Sequence, residues 1–173
     1  MWRKTAGATL LELAVAVSVL SILAYLLLDR MRYYQEWAEK ANMEYTAASL
    51  KSALLVEFSI LMVEGRMREG STLLQQNPMD WLVPKPVNYI GEFNGAAPDT
   101  LPRGNWYYDR SAREVVYRVR LGRHFKPDSR GRQEVRYRVM AIYDESPKNG
   151  GLGYSLMPPS GVRLTPIEPL RWF

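Results

Sequence analysis

The sequence predicts an α+β chain. One long N-terminal helix, apolar over its first half, packs by its second half on a small antiparallel sheet. Three observations carry this. Between residues 8 and 28 the only charged side chain is Glu12. No proline precedes Pro78, and no glycine lies between Gly7 and Gly65. Further on, residues 114–121 and 134–143 alternate apolar and basic side chains with the period of a strand.

The helix comes first. About 20 apolar residues in helical form rise about 30 Å, the thickness of a bilayer's hydrocarbon core, so residues 8–29 read as a transmembrane or filament-core segment. A secretory signal has a shorter apolar core with its cleavage site behind it. Here the run is longer, holds a carboxylate, and continues without turn residues. Arg3 and Lys4 favour a cytoplasmic N-terminus, while Arg30 and Arg32 on the other flank oppose that vote. The absence of breakers permits one helix over residues 9–64. Its second half is read as amphipathic, with Trp37, Ala41, Tyr45, Ala48, Leu54, Leu55, Phe58, Leu61 and Met62 on the core side. Glu36, Glu39, Lys40, Glu44, Lys51 and Glu57 are assigned mostly to other faces. Gly65 and Gly70 end the helix.

A connecting loop over residues 66–104 follows, with five prolines between Pro78 and Pro102. Trp81, Leu82, Tyr89, Ile90 and Phe93 would anchor it to the domain surface. The sheet is assigned to residues 105–143, as strands over 105–108, 114–121 and 134–143 with a turn over 109–113. Residues 144–173 read as a loop region, with a short edge strand near 162–164.

Composition sets outer limits. The chain has 173 residues, enough for one domain and an anchor, and a formal charge of +5. It has no cysteine, which removes disulfides and thiolate metal sites. His124 is the only histidine, so a histidine-based metal cluster is excluded. No serine sits in a nucleophile motif, and Gly150, Gly151 and Gly153 do not join a strand to a helix as a phosphate loop does. Asp144, Glu145 and Asn149 match no calcium-loop spacing. No enzymatic activity, cofactor or metal is expected.

The N-terminal residues carry the strongest signal. Lys4, Thr5, Ala6 and Gly7 form the end of a short basic leader, and Glu12 is the fifth residue after that glycine. This pattern resembles the prepilin N-terminus of type IV pilins and type II secretion pseudopilins. The resemblance covers roughly residues 4–30 and implies a pilin-like fold. It implies a leader over residues 1–7, cleavage between Gly7 and Ala8 by a prepilin peptidase, and N-methylation of Ala8. Loss of the leader leaves 21 basic against 18 acidic residues, a charge of +3. The resemblance further implies that Glu12 recruits the subunit into a filament. A buried amine or carboxylate without a partner costs several kcal/mol, so pairing Glu12 with the new amino terminus of a neighbour would set the register.

The expected partners are other pilin or pseudopilin subunits, the peptidase and methyltransferase, an inner-membrane assembly platform and membrane lipid. The expected location is the bacterial inner membrane, with residues 30–173 as a periplasmic domain that is extracted into a filament. Asp29 stands where many major subunits have a kinking proline, which points to a minor subunit. Many pilins also close their C-terminal region with a disulfide, which this chain lacks.

A second set of residues allows another function. Arg118, Arg120, Arg123, Lys126, Arg136 and Arg138 line the strands and the connection between them, among aromatic residues. Such a strip can neutralise phosphates, as in a pilin-like subunit that takes up DNA. Alternation alone places those arginines outward on a solvated face, where they would serve solubility or subunit contacts.

Overall fold

The structure is a computed structural model that describes residues 9–95, 100–143 and 159–173. Helix α1 spans Leu10–Val63, 54 residues. Five strands follow: β1 (Tyr89–Phe93), β2 (Trp106–Asp109), β3 (Glu114–Arg118), β4 (Glu134–Ile142) and β5 (Gly161–Pro166). The chain divides into two compact units, with the boundary between Ala38 and Glu39.

The first unit is helical, and its side chains from Leu10 to Leu28 are exposed. This is the one helix among the described residues that is long and apolar enough to cross a membrane. A soluble monomer rarely leaves so large a contiguous apolar surface in water.

In the second unit the rest of α1 packs on the sheet. Met43, Ala47, Leu50, Leu54 and Phe58 form a buried stripe at helical spacing. They meet Trp106, Val115, Tyr117, Tyr137, Val139 and Leu164. The expected stripe had its phase partly wrong: Trp37, Tyr45 and Leu55 are exposed, while Glu39 is buried. The physical reason lies in the bonds made by Glu39, described below. Two residues beyond the end of α1 stands Gly65, whose φ of 73° suits a residue without a Cβ. Its N–H donates to the Met62 carbonyl at 3.2 Å and that of Arg66 to Leu61 at 2.8 Å, which together close the helix.

The sheet runs β1-β2-β3-β4-β5. From β2 onward it is the expected antiparallel meander, with Trp106 opposite Tyr117 and Val115 opposite Tyr137. Asp109 shapes the β2–β3 turn, because its Oδ1 accepts from the Ser111 and Ala112 N–H groups at 3.0 and 3.1 Å. The edge strand near 162–164 is present and longer, pairing Val139 with Leu164.

Two features depart from the expectation. Residues 89–93 form strand β1 rather than loop, and β1 pairs with β2 in parallel, so the sheet is mixed. β3 also stops at Arg118, three residues short of the assigned end. The connecting loop further holds short 3-10 helices at Met67–Leu74 and Pro78–Trp81.

Candidate functional site

Glu12 lies in the first turn of α1. The Thr9 hydroxyl accepts the Glu12 N–H at 3.2 Å, and the Thr9 carbonyl accepts that of Leu13 at 3.0 Å. Thr9 is therefore the N-cap and Glu12 is the third helical residue, the spacing of a capping box. A carboxylate there also suits the positive end of the helix dipole. The bond shown here is made by the Glu12 backbone N–H, so its carboxylate, exposed in the first turn, keeps its oxygens for a neighbour. The cleavage residues Gly7 and Ala8 lie outside the described residues.

The arginines of the sheet are not one solvated strip. Arg118 and Arg136 are buried, and so are Asp109, Glu114 and Glu134 on the same face. Arg136 donates to Glu114 at 2.9 Å and to Glu134 at 2.7 Å. Arg138 donates to the other oxygen of Glu114 at 2.5 Å. Arg118 donates to the Leu101 carbonyl at 2.7 Å and lies 3.8 Å from Glu134. Burial by itself lowers the basicity of Arg136, but its hydrogen bonds to Glu114 and Glu134 hold its pKa above the ordinary arginine range.

This corrects the outward, solvated placement of Arg118 and Arg136. The physical reason is a second layer that period-2 alternation does not reveal. Ile90, Phe93 and Leu101 pack over Tyr107 and Val116, which covers much of the face opposite the helix. Charges buried beneath such a cover must pair. Arg138 stays half exposed at the margin.

Arg120, Arg123 and Lys126 are exposed, as expected. They follow β3, in the connection to β4. The Arg120 guanidinium is 4.0 Å from Glu39, a surface contact of little energetic weight. The backbone here is fixed more firmly. Glu39 accepts the Arg120 N–H at 2.6 Å, the Leu121 N–H at 2.8 Å and the Tyr117 hydroxyl at 3.0 Å. Sequence reasoning missed Glu39. Its only signal was that it lies four residues before Met43 and eight before Ala47, on the buried stripe.

Open cavities border this unit, two of them lined by charged side chains. One, about 320 Å³, lies between the 125–129 segment, the start of β4 and residues 167–171. The other, about 530 Å³, is lined by Asn77, Trp81, Glu92 and Arg110 among others. In it Glu92 accepts from Asn77 at 2.8 Å and from Arg110, bonds that hold its carboxyl below the usual range. Among the described residues no group of three or more histidines, cysteines or carboxylates is placed to hold a metal. No family model, curated protein or solved structure matches the chain.

Proposed function

We propose that this chain is a structural subunit of a filament of the type IV pilus or type II secretion class, and within it a minor one. Its apolar helix anchors it in the inner membrane, with the N-terminus cytoplasmic and the globular unit periplasmic. A prepilin peptidase cuts between Gly7 and Ala8, Ala8 is methylated, and the helix then enters the filament core. The observation that carries the reading is the N-terminal half of α1. It is an exposed apolar helix whose single charge, Glu12, lies in the first turn. Such a surface requires lipid or like helices around it, and its one carboxylate requires a cation. The second half of α1, packed on a sheet, supplies a soluble body of the kind such subunits carry.

Intact mass tests the reading. Full-length protein extracted from membranes of cells with an active prepilin peptidase should lack its first seven residues and carry one methyl group. Gly7→Val should remain uncut in the membrane fraction. An unshortened chain in the presence of the peptidase would sink the proposal.

A further inference from the structure

The cavity of about 530 Å³, bordered by β1 and the β2–β3 turn, lies wholly within the second unit. Its volume falls in the range of small-molecule sites, about 300–1,000 Å³. Two aromatic side chains line it, Trp81 and Tyr108, and Gln76 holds both. The Trp81 Nε1–H donates to the Gln76 side-chain oxygen and the Tyr108 hydroxyl to the Gln76 carbonyl, each at 3.3 Å.

The charged and amide groups of the wall are also held in place. Glu92 accepts from the Asn77 amide at 2.8 Å through one oxygen and from Arg110 Nε through the other. Asn77 is buried, and its side-chain oxygen accepts the Met79 N–H at 3.0 Å. Asp80 Oδ1 accepts from Lys85 Nζ at 2.7 Å. Arg110 and Asp80 each use one arm of a forked side chain in these bonds, so a second donor or acceptor remains on each group. Arg113 completes the wall. Its φ of 56° is a left-handed conformation that glycine adopts without steric cost and arginine does not. Burial, and then the Glu92 charge, raises the pKa of the Tyr108 hydroxyl, and the Arg113 charge opposes that rise. The exposed guanidinium therefore acts on the aromatic side of the cavity.

We infer that this cavity binds a neutral saccharide. The charge balance of the wall disfavours an ion. Asp80 and Glu92 stand against Arg110 and Arg113, two of each sign, so a phosphate or carboxylate would meet two acids along with the arginines. An apolar ligand would leave the same polar groups desolvated without partners. A sugar suits both parts of the wall. Its hydroxyls donate to a carboxylate and accept from a guanidinium or amide, while its C–H faces lie against aromatic rings. This function needs neither the anchor nor the filament, so it stands apart from the reading above.

The test uses the full chain in phospholipid nanodiscs, because a glycoside detergent would compete for the site. Saturation-transfer difference NMR is run with triacetylchitotriose, which represents cell-wall glycan, and with maltotriose and lactose, which represent secreted or foreign glycans. At least one of these sugars should receive saturation through its ring C–H protons, and which one it is names the source. Trp81→Ala should abolish the transfer, but Trp81 also packs against the core. Arg113→Gly keeps the loss of binding apart from misfolding. It removes a donor to the ligand while relieving the left-handed backbone, so affinity should fall about tenfold with a thermal midpoint close to that of wild type. No transfer to any of the three sugars at millimolar concentration overturns the inference. Transfer that persists equally in wild type, Trp81→Ala and Arg113→Gly also overturns it, since the sugar would then bind elsewhere. Glucuronate competing better than glucose would overturn the neutral assignment.

Discussion

The Tyr117 hydroxyl donates to Glu39 Oε1 at 3.0 Å, tying the third strand to the first turn of the packed half of α1. The same carboxylate takes the Arg120 and Leu121 N–H groups, so three donors from one strand end converge on one buried acid. Glu39→Ala strands a hydroxyl and two N–H groups and should destabilise the domain by about 3 kcal/mol. Glu39→Gln keeps an acceptor but turns a donor toward one N–H, and should cost about half as much. Exposed Glu44, 3.9 Å from Lys40, provides the control: Glu44→Ala should change stability by less than about 0.5 kcal/mol. Urea unfolding of the three variants decides it. A loss in Glu39→Ala no larger than in Glu44→Ala would deny Glu39 its role.

Two core tyrosines give the domain an alkaline limit. Burial first, and then the nearby Glu44 charge, pushes the Tyr137 hydroxyl up to about 12. Tyr117 is raised further by burial and by Glu39. In the unfolded chain both ionise near pH 10. The folded state therefore keeps its protons longer than the unfolded state does. The stability that this provides is fully present below about pH 10 and is lost as pH rises from there through the folded pKa, about 12 for Tyr137. Its size for Tyr137 is on the order of 2–3 kcal/mol. Unfolding free energy measured from about pH 9 to 12 should fall, and Tyr137→Phe should flatten the fall. Parallel curves for the two proteins would refute it.

The buried charges on the other face of the sheet predict a split among the basic residues. Arg136 bridges Glu114 and Glu134, both buried, so Arg136→Met leaves two acids with weaker partners and should cost about 3–5 kcal/mol. Lys126→Gln, in the exposed connection, should be neutral to within about 0.5 kcal/mol. Thermal melts of the two variants make the comparison. Similar midpoints would mean that Arg136 is as dispensable as a surface cation.

Much of this architecture was legible in the sequence because it follows from local periodicity. The breaker-free stretch gave α1 its ends within a residue or so, and alternation located β3 and β4. What failed was whatever depends on a second layer. Arg118 and Arg136 alternate as outward residues do, and they do point away from the helix. Only the tertiary placement of Phe93 and Leu101 turns that outer face into an interior, and no pattern in residues 114–138 encodes it. β1 was missed for a related reason. Its parallel pairing with β2 joins segments separated by proline-rich sequence, so no hairpin turn marks it. Glu39 was misplaced because a charged residue counts against burial unless its partners, here the far end of β3, are known.

The last prediction separates two roles of Glu12. With Thr9 as N-cap, Glu12 lies where a capping box places either glutamate or glutamine. Glu12→Gln therefore keeps the local cap and removes the charge. Thr9→Ala does the reverse, fraying the first turn at a cost of about 1 kcal/mol while the carboxylate remains. If a neighbour's amino terminus is neutralised by Glu12, the glutamine variant should be processed normally by intact mass yet fail to enter filaments, as badly as Glu12→Ala. Thr9→Ala should assemble close to normal. Sheared-filament yield from cells expressing each variant is the measurement. Normal assembly of Glu12→Gln combined with failure of Thr9→Ala would leave Glu12 as a helix cap alone, because a neutral amide cannot cancel the charge of an amine buried among apolar helices.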